Sequence, residues 1–174
     1  LNLTVTDPTG AVANPLTYDA GEKTTAAYGM FNYENDKWQM IGGVRLEHTN
    51  QHYKLLFPAG EKRPTGSQIY TEWLPSLTMK YHLNGKQQLH AAYYRALNRP
   101  GFYEIVPSSV VNEEFLEKGN PDLKHALADN FDLRYEVFPE ASSQFLVGMF
   151  YKQIKNPIEY TFQPDEIRKQ DVYY

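Results

Sequence analysis

Between Asn130 and Val137 polar and apolar residues alternate without a break, and no other feature of the sequence restricts the fold as much. Phe131, Leu133, Tyr135 and Val137 point one way. Asn130, Asp132, Arg134 and Glu136 point the other. Period two belongs to a strand with one apolar and one polar face. Trp38, Met40, Val44 and Leu46 repeat the pattern against Gln39, Arg45, Glu47 and Thr49. So do Trp73, Leu77, Met79, Tyr81 and Leu83 against Glu72, Ser76, Thr78, Lys80 and His82. Thr24 to Tyr33, rich in aromatic and small residues, reads as a further strand. Phe145, Val147, Met149 and Tyr151 begin another, although Leu146 and Phe150 make its second face half apolar.

The connections narrow the fold class further. Short turns are expected at 34–37, 84–86 and 139–142. Long stretches, roughly 50–69 and 98–126, separate them. Globular domains mostly use connections of about 4–6 residues. Tight turns at one end and long loops at the other suit an antiparallel up-and-down transmembrane β-barrel, with strands of about 10 residues or more. Across Asn84-Gly85-Lys86 a three-residue loop is expected. It would set Tyr81 opposite Leu89 and Met79 opposite Ala91. One short helix is expected around Val110 to Lys118.

Composition permits this reading. Mean hydropathy is −0.60, which suggests a soluble protein, yet the chain holds 14 Tyr and 9 Phe. A barrel turns only alternate residues to lipid and collects its aromatics at the interfaces. The absence of Cys removes disulfide scaffolds and thiolate metal sites. A net charge of −4 without a basic run argues against a nucleic-acid partner. The chain opens Leu1-Asn2-Leu3-Thr4, with no leader pattern, and reads as a piece of something longer.

Four stretches in order resemble the barrels of TonB-dependent receptors. Ile41-Gly42-Gly43-Val44-Arg45-Leu46-Glu47-His48-Thr49 is similar to their GGVRxExT strand. Leu74-Pro75-Ser76-Leu77 with Tyr93-Tyr94-Arg95-Ala96-Leu97-Asn98-Arg99-Pro100 is similar to their LPSL…Y…RP hairpin. Gly119-Asn120-Pro121-Asp122-Leu123-Lys124 and the strand from Asn130 resemble the segment beginning GNPxLKP, with His125 in place of its second Pro. Phe150 to Ile158 resembles the FYKxIxxxI that follows it. The resemblance implies that residues 1–174 are part of one receptor barrel domain in the cell outer membrane, some six crossings of a much larger barrel. It implies TonB-energised uptake of a nutrient such as a siderophore or oligosaccharide. TonB would act through a plug domain, and the chain carries neither plug nor barrel ends. Lipid would be a partner, and the isolated piece would self-associate. The alternative is a soluble β-sandwich, adhesin-like or carbohydrate-binding. A sandwich buries Trp73, Met79, Tyr81 and Leu133, whereas a barrel turns them outward.

Candidate site residues follow from the polar faces. Arg45, Glu47, Asp132, Arg134 and Glu136 are expected to face the lumen, as part of a transport path or as a charge ladder pairing across strands. The turn Gly119-Asn120-Pro121-Asp122-Leu123 would lead into the next strand or shape a binding loop. His48 and His52 sit about 13 Å apart along a strand. His82 and His90 lack further ligands, so no metal or cofactor is expected. No catalytic motif occurs, and Glu113 and Glu114 need no role beyond solvation. Tyr70, Trp73, Tyr81, Tyr93 and Tyr94 suit an interface girdle more than sugar stacking.

Overall fold

A computed structural model describes residues 5–6, 12–13, 17–56, 61–111, 115–140, 142–164 and 171–173. Residues 1–4, Glu113, Glu114 and Tyr174 lie outside the described residues. Six long strands form one sheet in which each neighbours the next in sequence: β1 (Tyr18–Glu34), β2 (Trp38–Leu55), β3 (Thr65–Asn84), β4 (Gln87–Asn98), β5 (Ala126–Val137) and β6 (Phe145–Lys155). Every pairing in this sheet is antiparallel. Two short strands, Val5–Thr6 and Val12–Ala13, pair separately. A small second sheet joins Ser109–Val111, Phe115–Lys118, Asp171–Tyr173 and Phe162–Pro164. It contains the one parallel pairing among the described strands, Phe115–Lys118 with Asp171–Tyr173.

The register makes the alternation of each strand continuous across the sheet. Trp38 faces Tyr81, Tyr81 faces Leu89, and Leu89 faces Tyr135. Two pairs higher, Leu77, Tyr93, Phe131 and Tyr151 stand in one row. Rings in this row touch, Tyr93 to Phe131 at 4.7 Å and Phe131 to Tyr151 at 6.1 Å between centroids. All these side chains share the apolar face, and large side chains on it stand exposed. Trp73 is 59% exposed and Met149 68%. A sandwich would have buried both, so the face is built for a solvent other than water. Trp38 and the pair Leu46–Trp73 bracket it. They stand eight residues apart along β2, about 26 Å. With a strand tilt of about 35–45° that covers most of an apolar band about 25 Å tall.

Gly42 belongs to the same face and shows why a glycine stands there. A Cβ at this position would lie 2.4 Å from the Phe31 ring and 3.2 Å from Leu77. The ring lies flat over the β2 backbone, and any side chain would displace it.

Several expectations need correction. The loop expected at 50–69 is shorter, because β2 runs on to Leu55 and β3 begins at Thr65. Gln51, Tyr53 and Leu55 continue the polar-face alternation as buried residues beneath the loop after β4, and that burial extends the sheet. The turn after β3 has two residues, Gly85 and Lys86, closed by Asn84 opposite Gln87. A register shift between His82 and Asn84 takes up the odd residue as a bulge. The expected pairs Tyr81–Leu89 and Met79–Ala91 therefore hold by a different device. Among the described residues of Val110 to Lys118 there is no helix. Ser109–Val111 and Phe115–Lys118 are strands, in keeping with the β-branched valines. The helix lies earlier, at Phe102–Ile105 (α1), where the Gly101 amide donates to Glu104 Oε2 at 2.6 Å and fixes its first turn.

Candidate functional site

Arg45, Glu47, Asp132, Arg134 and Glu136 all fall on the polar face, as the alternation required. They do not form one ladder. β3 and β4 stand between β2 and β5, so the charges pair within their own strands. Arg45 Nη2 lies 2.7 Å from Glu47 Oε2, and Arg134 Nε lies 2.7 Å from Glu136 Oε1. Gln88 also donates to Glu136, and His90 Nε2 lies 3.5 Å from it. Of the aromatics expected in a girdle, Trp73, Tyr81 and Tyr93 lie on the apolar face. Tyr70 and Tyr94 pair with Thr49 and Ser76 and so belong to the polar face. The even position of Tyr70 already conflicts with the odd-numbered apolar row of β3, and that of Tyr94 with the odd-numbered row of β4.

The described parts of the connection after β4, residues 99–111 and 115–125, fold back over this face as a strap. Arg99 reaches Glu47 on β2, lies 3.7 Å from Glu22 Oε1 on β1, and bonds Thr49 Oγ1 at 3.4 Å. Gln51 Nε2 donates to Glu22 Oε2 at 2.8 Å and to the Pro100 carbonyl at 3.3 Å. Behind these contacts Tyr53, Leu55, Ile105 and Val106 form a buried cluster, with Tyr18, Ala20, Phe102 and Leu123 packed against it. Most of the polar face is open, but under the strap it is a small hydrophobic core.

The turn Gly119-Asn120-Pro121-Asp122-Leu123 is the strap's second anchor. A Cβ on Gly119 would lie 2.2 Å from the Val106 carbonyl oxygen and 2.9 Å from that of Tyr103. This close approach admits only glycine. Asn120 N donates to the Glu104 carbonyl at 2.6 Å, and Asn120 Oδ1 accepts from Asp122 N at 2.9 Å. Gln68 Nε2 on β3 donates to the Leu123 carbonyl at 2.7 Å. Arg63 pairs with Asp122 at 2.6 Å and holds its carboxyl below the usual range. Burial alone would raise Glu61, but Lys118, at 2.6 Å, brings it below its ordinary value. His125 stacks on Tyr70 at 3.9 Å and bonds Glu72 Oε1 at 2.8 Å. A proline at that position would have neither bond.

Sequence reasoning missed Glu22, Gln51, Arg63, Gln68 and the part played by Arg99. The signal was the run Glu47, Thr49, Gln51, Tyr53, Leu55, which keeps period two past the point where the loop was expected to begin. Among the described residues no three His, Asp or Glu converge as a metal set.

Six antiparallel crossings with one apolar and one polar face define a section of outer-membrane β-barrel wall. The chain belongs to the outer membrane protein beta-barrel family, whose model matches residues 3–174, and its place is the cell outer membrane. The copper transporter OprC superposes with a TM-score of 0.57 at 14% identity, over 89% of this chain and 25% of its own. A mutant ferric enterobactin receptor from Pseudomonas aeruginosa (PfeA), in complex with enterobactin, gives 0.55 at 17% identity, over 96% and 32%. The likeness is one of fold, and it agrees with the resemblance to TonB-dependent receptor barrels. By name the neighbours are a transporter and a receptor. The chain spans a quarter to a third of their length. No curated protein matches it.

Proposed function

We propose that residues 1–174 are part of the barrel domain of an outer-membrane active-transport receptor, which takes up a small ligand such as a siderophore or an oligosaccharide. One observation carries the reading. The sheet carries a face of large exposed apolar side chains, fit to meet lipid, while the opposite face bears charge pairs and, toward the loop end, an anchored strap. In this account Arg45, Glu47, Asp132, Arg134 and Glu136 line the lumen. The strap, held by Arg99 and by the turn Gly119 to Leu123, narrows the outer mouth where ligand arrives. Nothing in the polar face calls for catalysis or a resident cofactor. TonB energises the transport through a plug domain of the whole receptor. An isolated section, with β1 and β6 as unpaired edges, self-associates.

The test is uptake by cells that lack the whole receptor and by cells that lack TonB. Across a panel of ferric chelates, copper and oligosaccharides, both deletions should abolish uptake of the same compound. Unchanged uptake of every compound in the receptor deletion would refute the transport reading.

A further inference from the structure

The two charge pairs of the polar face share an asymmetry. Side-chain exposure is 45% for Arg45 but 7% for Glu47, and 47% for Arg134 but 6% for Glu136. Each carboxylate has further partners, Arg99 on Glu47 and Gln88 on Glu136. Each arginine side chain is about half exposed. Because β2 and β5 run in opposite directions, the two carboxylates lie at opposite ends of the arrangement and the two arginines lie between them. Arg134 stands in the row of His90, Lys80 and Gln39, and Arg45 six residues further along β2. That interval is about 20 Å along the strand. Within it the polar face also carries Lys80 and Lys152, with Asp132 and, on β1, Glu34 as the opposing carboxylates. His90, in the Arg134 row, adds positive charge only when protonated.

We infer that this stretch of wall selects for an anionic small molecule, one bearing carboxylate, phosphate or comparable groups, by presenting guanidinium and ammonium groups while withdrawing the paired carboxylates. This rests on the polar face lining the lumen. A guanidinium is well made for such a role. It stays charged at any physiological pH, its planar donors match an oxyanion, and it is only weakly hydrated. A cleft lined by one sign of charge concentrates ions of the other sign.

These 174 residues have no Cys, so in a receptor with any cysteine elsewhere changed to Ser a single introduced thiol reports the local potential. In the whole receptor, Thr78→Cys and Ser76→Cys each place a thiol on the exposed polar face within this interval. Their reaction rates with a sulfonate-bearing and with a trimethylammonium-bearing methanethiosulfonate, each normalised to a free thiol, give a charge ratio. The anionic reagent should be favoured on the order of five-fold. Arg45→Gln with Arg134→Gln should bring the ratio toward one, since Glu47 and Glu136 keep other partners. Lys152→Gln, on an exposed edge-strand side chain, should move it the same way if the double variant fails to fold. A ratio at or below one, or one unmoved by these changes in a folded barrel, overturns the inference while leaving a lumen-facing wall intact. Failure of both reagents to react would overturn the lumen assignment itself, and the inference with it.

Discussion

Arg99, the first residue beyond β4, reaches past β3 to the carboxylate of Glu47 on β2. The contact turns the connection after β4 inward at its first step. Arg99→Gln should therefore free the strap without opening the barrel. Glu47 keeps Arg45, so the loss should be that of Arg99's own contacts with Glu47, Glu22 and Thr49, about 1–3 kcal/mol. Limited proteolysis of the receptor in detergent should cut the strap roughly ten-fold faster or more, with heat-modifiability unchanged. Equal cleavage rates in the variant and parent would show that Arg99 anchors nothing.

Two glycines at chain reversals should behave oppositely. A Cβ on Gly119 meets two carbonyl oxygens, whereas one on Gly85 meets nothing within 4 Å. Gly119→Ala should cost about 1–3 kcal/mol through overpacking. Gly85→Ala should stay within about 0.5 kcal/mol. Urea titration of the two variants in detergent gives both values.

Most of the wall was legible in the sequence because lipid and lumen impose period two on every strand. Neither the faces of β2 to β6 nor the pairs Tyr81–Leu89 and Met79–Ala91 needed a structure. The strap was not legible. Its contacts with the wall join residues about 50 apart, such as Gln51 with Pro100 and Gln68 with Leu123, and no local pattern announces them. The expected ladder between Arg45, Glu47 and the β5 charges failed for a related reason. Alternation fixes a residue's face but leaves open how many strands lie between two residues on it. The bulge near Leu83 was hidden because a three-residue loop predicts the same register.

Faces differ in their tolerance of charge. Leu133→Arg or Met79→Arg, on the apolar face well inside the belt, should cost about 2–4 kcal/mol. Thr78→Arg, one residue away on the polar face, should cost little. Unfolding titrations that rank the three alike would mean that both faces meet the same solvent.

The strap should loosen in acid. Asp122 and Glu61 are both held below their ordinary values of 3.8 and 4.5. A depressed carboxyl contributes stability that is complete above its unfolded value and is lost as pH falls through its folded one. Both pins should hold in full from neutrality to about pH 5, weaken as pH falls below the ordinary carboxyl values, and be lost only below the lowered folded ones. Spin labels at Lys62 and Lys124, both exposed, should give a narrow distance distribution at pH 7 and a broad one at pH 3. Asp122→Asn should broaden it already at pH 7. A distribution indifferent to both changes would exclude these pairs as pins.

One face of this sheet should meet lipid and the other the barrel interior. Nitroxides placed singly along β5 of the whole receptor, at Phe131, Asp132, Leu133, Arg134 and Tyr135, test it residue by residue. In lipid vesicles, collision with dissolved oxygen reports hydrocarbon, and collision with a nickel chelate reports water. The account predicts high oxygen and low nickel access at 131, 133 and 135, with the reverse at 132 and 134. A uniform profile, or one with the phases exchanged, would contradict it.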